Sequence, residues 1–117
     1  MVAPADPNRR RDWPEEYRIA AKKWVDAEAA ASLLENTRSA TEAQLIASVQ
    51  EQNPKMAFNK AQQTVKASPE WAQFNQRMVE ARKAANLLKV QLRYIEMKDR
   101  QLGSMEASRR AEMRLDI

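Results

Sequence analysis

Apolar residues recur along this chain at alternating intervals of three and four, the spacing that lines one face of a helix. Trp13, Tyr17, Ala20, Trp24, Ala27, Ala31 and Leu34 form one such stripe, which resumes at Thr41 and Leu45. Trp71, Phe74, Met78, Ala81, Ala85, Leu88, Leu92 and Ile95 form a second and cleaner stripe, which fails at Asp99 and recovers at Leu102. Each stripe needs a partner helix to cover it.

Start and stop signals bracket the stripes. Asp12 offers a capping carboxylate, Pro14 suits a first helical turn, and Glu15 and Glu16 complement the positive end of a helix. With neither glycine nor proline from Trp13 to Gln52, the sequence predicts a long helix over about residues 13–52. Its weak place is Glu35 to Ser39, where Arg38 falls on the apolar stripe and Ser39 with Glu42 matches a capping box. The helix either runs through that place or kinks or breaks there. Asn53-Pro54 ends it. Asn59 with Gln62 predicts a short helix over about residues 60–67, and Ser68-Pro69 opens a second long helix over about residues 69–110. Gly103 and the polar residues after it weaken its end. Residues 1–11 hold little to bury and read as a flexible basic tail, leaving residues 12–117 as one helical domain.

WVDAEAAASLL, residues 24–34, has an echo in MVEARKAANLL, residues 78–88. The two agree at Val25/Val79, Ala27/Ala81, Ala30/Ala84, Ala31/Ala85, Leu33/Leu87 and Leu34/Leu88, while Glu28 is matched by Arg82 and Glu35 by Lys89. Small alanine ridges let helices approach closely, and opposite charges at matched positions suit neighbours better than copies. The expected fold is therefore all-α, an elongated antiparallel hairpin of two long helices with a short connecting helix, in which the echoed strings meet mid-hairpin. Apolar side chains on more than one face leave area for a second chain, so two hairpins are expected to pair into a helical bundle, a homodimer. Trp13, Tyr17, Trp24, Leu34, Trp71, Phe74, Met78, Leu88, Leu92 and Ile95 are the residues assigned to that oligomer or partner interface.

Composition narrows the chemistry. One glycine in 117 residues cannot build a phosphate loop. The chain has no histidine and no cysteine, which removes the commonest general base, the commonest zinc ligands and any disulfide. Glu28 and Glu35 share a helical face, but solvated charge or an ion pair with the second helix explains them without a metal. No catalytic residue, metal or cofactor is assigned. No apolar run reaches the length of a membrane span and the first residues carry no hydrophobic signal region, which predicts a soluble cytoplasmic protein with no membrane role.

The net charge of +4 is unevenly spread: residues 1–54 hold seven basic and nine acidic side chains, residues 55–117 thirteen and seven. Lysine and arginine can release counterions from a phosphate backbone, and exposed aromatics can stack on bases. The nucleic-acid candidates are Arg9, Arg10, Arg11, Lys55, Lys60, Lys66, Arg77, Arg82 and Lys83. Trp71 and Phe74 lie on the core stripe, which favours packing over base stacking for them. The basic residues also have a structural reading, as answers to Asp26, Glu28, Glu35 and Glu42.

The strings KKWVDAEAAASLLENTRSATEAQLIA, VKASPEW and MVEARKAANLLKVQLRYIEMK resemble small helical proteins encoded in the early, recombination and replication gene blocks of temperate bacteriophages and prophages. The likeness spans roughly residues 13–100. It implies a phage accessory protein in the cytoplasm of a bacterial host, with no enzymatic activity. The expected role is to assist DNA recombination or replication by contacting DNA or a DNA-metabolism enzyme. The alternative is a helical interaction module that binds and inhibits or recruits a host protein.

Overall fold

The computed structural model describes residues 12–115. They form four helices and no strand: α1 (Trp13–Asn36), α2 (Arg38–Gln52), α3 (Phe58–Lys66) and α4 (Pro69–Leu115). α1 lies antiparallel along α4, and the molecule is a rod of 91 × 38 × 17 Å. The elongated all-α hairpin is thus the architecture, with a first arm that differs from expectation. Arg9, Arg10, Arg11 and the rest of the expected tail lie outside the described residues.

α1 begins as its sequence dictates. Asp12 Oδ1 accepts the Glu15 amide at 3.2 Å, Pro14 sits in the first turn, and Glu15 pairs with Arg18 at 2.6 Å. That exposed ion pair adds little beyond local helix support.

The single helix expected over residues 13–52 is two helices, divided at Thr37. The Thr37 hydroxyl donates to the carbonyls of Leu33 and Leu34 at 2.8 and 3.2 Å, and its backbone leaves helical geometry at φ −95°, ψ 2°. A hydroxyl that occupies carbonyls of the preceding turn competes with the backbone ladder and bends or breaks a helix. Ser39 is therefore inside α2 and caps nothing, while Glu42 accepts from Gln62 of α3 at 3.3 Å. Beyond Thr37 the chain packs chiefly on α3 instead of continuing along α4.

α3 starts at Phe58, earlier than expected, with the extended Ala57 before it and no side-chain cap. Asn59 is inside the helix. Ser68 does close the next boundary: its hydroxyl donates to Val65 O at 2.6 Å and accepts from the Trp71 amide at 3.3 Å, and Pro69 is the first residue of α4.

The core falls into two clusters joined by an alanine ridge. At the looped end, Ile46, Ala61, Val65, Trp71 and Phe74 are buried together, with Leu34, Leu45, Val49, Met56 and Met78 packed around them. Trp71 and Phe74 stack with ring centres 5.8 Å apart, and the Arg38 guanidinium lies 5.6 Å from the Trp71 ring centre. A cation over an indole explains an arginine on the apolar stripe. At the open end, Trp13, Ala20, Leu92 and Ile95 are buried, flanked by Ala21, Trp24 and Leu102. Between the clusters, Ala31 and Ala85 have no exposed surface at all.

α4 continues 47 residues to Leu115, past the residue 110 at which it was expected to end. From Gly103 onward it runs beyond the start of α1, with Glu106 its last half-buried side chain. Nothing lies within 4 Å of where a Gly103 Cβ would sit. Gly103→Ala is therefore expected to stabilise this overhang by about 0.5–1 kcal/mol, through the entropy a glycine loses in a helix. Amide hydrogen exchange over residues 104–112 should slow several-fold, and an unchanged rate would mean that the overhang is not helical in solution.

Candidate interaction surface

Polar contacts between α1 and α4 mark the register of the hairpin. Tyr17 donates its hydroxyl to Glu96 at 3.1 Å, and Arg82 binds Glu28 at 2.6 Å and Glu35 at 2.6 and 2.9 Å. In this register the start of each echoed string lies opposite the end of the other, Trp24 near the level of Leu88 and Leu34 near the level of Met78. The echo is thus a local pseudo-dyad. The departure at Glu28/Arg82 follows from it, because a faithful repeat would set carboxylate against carboxylate near the axis.

Arg82 therefore faces its own chain. Both carboxylates hold its guanidinium further up from an already high value, and Arg82 in turn holds the Glu35 carboxyl below its ordinary range, first by hydrogen bonding. A lowered folded-state pKa means that the Glu35 contribution is present above its unfolded value of 4.5 and is lost as pH falls through the folded one. Thermal melts between about pH 6 and about pH 3 should show falling stability below that value. Glu35→Gln should flatten part of the slope, and an identical pH profile for the variant would contradict the pairing. With 38% of the Glu35 side chain exposed, the effect is modest and screened by salt.

The ten residues assigned from sequence to a partner interface are mostly the seam of the hairpin itself. Trp13, Trp71, Phe74, Leu92 and Ile95 are buried within the chain, and Trp24, Leu34, Met78 and Leu88 are half-buried. Only Tyr17 is exposed, and its hydroxyl is bound to Glu96. The nucleic-acid candidates are dispersed. Lys55 lies in the α2–α3 turn beside Lys60, Lys66 ends α3, and Arg77 and Lys83 of α4 are about a third of a turn apart. They do not make one strip.

A different surface is coherent. Val79, Leu87, Val90, Tyr94, Met97 and Met105 are each 50–63% exposed. At 3.6 residues per turn they fall, with Lys83 and Gln101, within about a quarter-turn of α4 on the side opposite the α1 seam. Lys89, Arg93 and Arg100 share one flank of this stripe, and Lys98 on the other lies 5.6 Å from the Tyr94 ring centre. Sequence reading missed it because the outer residues are interleaved with the seam residues. The signal was in the echo: Val25/Val79 and Leu33/Leu87 are exposed, so hairpin packing accounts for Ala27/Ala81, Ala31/Ala85 and Leu34/Leu88 but not for these pairs.

The remaining concavities are shallow and open. One groove beside the seam, lined in part by Glu16, Ile19, Lys23, Gln91 and Tyr94, connects with the outer stripe at Tyr94. Among the described residues no three acidic side chains converge to hold a metal ion, and no helix is long and apolar enough to cross a membrane. Comparison with protein-family models, curated proteins and solved structures finds no match to this chain.

Proposed function

We propose that this chain is a non-enzymatic helical interaction protein whose working surface is the outer face of α4. The supporting observation is the exposed stripe of Val79, Leu87, Val90, Tyr94, Met97 and Met105, opposite a seam that is already filled. Single exposed apolar residues are normal on a protein surface, but a row of them along one helix is the form in which a helix meets another protein. In the setting suggested by the sequence likeness, the chain is a phage accessory protein acting in the bacterial cytoplasm by recruiting or inhibiting a protein partner. A photo-crosslinking amino acid at position 90 should form protein adducts in nuclease-treated bacterial lysate, and the same group at the exposed position 18 should not. No adduct at position 90, to this chain or any other, would refute the reading.

A second reading is favoured by the cations of the same outer half, Lys83, Lys89, Arg93, Lys98 and Arg100: direct contact with DNA phosphates during recombination or replication. Arg82 is not among these contacts, being held by Glu28 and Glu35. In an anisotropy titration with single- and double-stranded DNA, binding should weaken with salt at a log–log slope of about −0.7 to −0.9 per phosphate contacted. No binding at about 50 mM salt would eliminate it.

A further inference from the structure

Resting on the reading of the outer face of α4 as a docking surface, we infer that its occupant is a second copy of the same face, packed antiparallel. The argument is the order of residue types along the stripe. With the two-fold axis at the level of Leu92, Val90 of one copy meets Tyr94 of the other and Leu87 meets Met97. Lys83 then meets Gln101, and Val79 meets Met105. Every apolar position finds an apolar one and the two polar positions find each other. A shift by about one turn, to an axis at Val90, sets Lys83 against Met97 and Val79 against Gln101. That arrangement buries a polar group without a partner, at a cost that fixes the register.

The surface is also of the right size. The stripe runs about 39 Å along α4 at 1.5 Å per residue. Its six apolar side chains expose on the order of 600 Å², and the stems of Lys83 and Arg93 bring each copy near the roughly 800 Å² of a stable interface. The contact is isologous and closes on itself, giving α4 against α4 at the centre and α1 of each copy outside. The Thr37 division leaves this face clear, since α2 and α3 gather at the other end of the rod. Lys89 and Arg93 of the two copies come side by side along one edge of the contact. Their repulsion is screened as salt rises, so the dimer tightens with ionic strength, opposite in sign to the binding of an anionic partner.

Sedimentation velocity on the full chain from about 1 to 100 μM tests this. We expect a concentration-dependent dimer, weakened more than tenfold by Val90→Glu with unchanged helical circular dichroism, because Val90 is exposed in the single chain. Gln101→Glu should tighten it several-fold by placing a carboxylate opposite Lys83 twice, and Gln101→Lys should loosen it. A monomer throughout, a dimer indifferent to Val90→Glu, or Gln101 variants without effect would each overturn the proposal. If the chain is monomeric while position 90 still cross-links to another protein, the second copy is refuted and the interaction surface stands.

Discussion

Phe74→Ala lowers the unfolding free energy by about 3–5 kcal/mol, the range for removing a buried aromatic ring. Phe74 is 5% exposed and stacks on Trp71 where α2, α3 and α4 meet, in the only one of the two core clusters to which α2 and α3 contribute. A small domain is stable by about 5–15 kcal/mol in total, so this loss is a large fraction of it. Urea melts followed by circular dichroism and by tryptophan fluorescence measure it. Trp71 should report the loss first, since α1 and the facing part of α4 keep the second cluster of Trp13, Ala20, Leu92 and Ile95. A change below about 1 kcal/mol, less than a large-to-small core substitution normally costs, would mean that α2 and α3 do not close over α4 as described.

Ala31→Leu is the second large effect, and it acts by the opposite route. Ala31 of α1 and Ala85 of α4 are both fully buried, on two helices that pack along each other. A leucine at either position pushes the helices apart or forces an unfavourable rotamer, at about 1–3 kcal/mol for overpacking and more if the seam on either side opens. The neighbouring echoed pair supplies the control. Ala30 and Ala84 are exposed, so Ala30→Leu and Ala84→Leu should fall within about 0.5 kcal/mol of the parent. Thermal melts of the four variants should separate into two groups. Four equal melting temperatures would contradict the close alanine contact.

Much of the fold was legible in the residues because several signals agreed. The stripe from Trp71 to Ile95, the Ser68-Pro69 boundary and the Asp12 cap each combine periodicity with specific capping chemistry, and all stand in the structure. A single helix over residues 13–52 was the expectation for the first arm, and the break falls at Thr37, inside the weak place from Glu35 to Ser39. Ser39 and Glu42 form the stronger sequence pattern, whereas a threonine such as Thr37 can sit in a helix either with its hydroxyl turned to solvent or bonded back to the preceding turn. Only the three-dimensional arrangement decides which.

The interaction surface was misread for a different reason. Periodicity identifies a stripe but not what covers it, so Trp13, Trp71, Phe74, Leu92 and Ile95 looked available when they are the internal seam. α4 carries two stripes on opposite sides, and their superposition blurs the amphipathic signal that either alone would give. Arg82 shows the same limit for charge. It counts as one more cation in a basic segment until its contacts with Glu28 and Glu35 are known.

The antiparallel register of α1 on α4 sets the seam, the pseudo-dyad and the face left outside. The chain has no cysteine, so two introduced ones can be labelled without interference. Spin labels at Arg18→Cys and Met97→Cys, diluted with unlabelled protein to suppress contacts between copies, are the most direct probe. Pulsed electron resonance should give one narrow distance distribution centred near 20 Å, since Tyr17 and Glu96 are hydrogen-bonded and two packed helix axes lie about 8–10 Å apart. A distribution centred beyond about 40 Å, the separation of positions displaced along a helix by the length of α1 at 1.5 Å per residue, would contradict it.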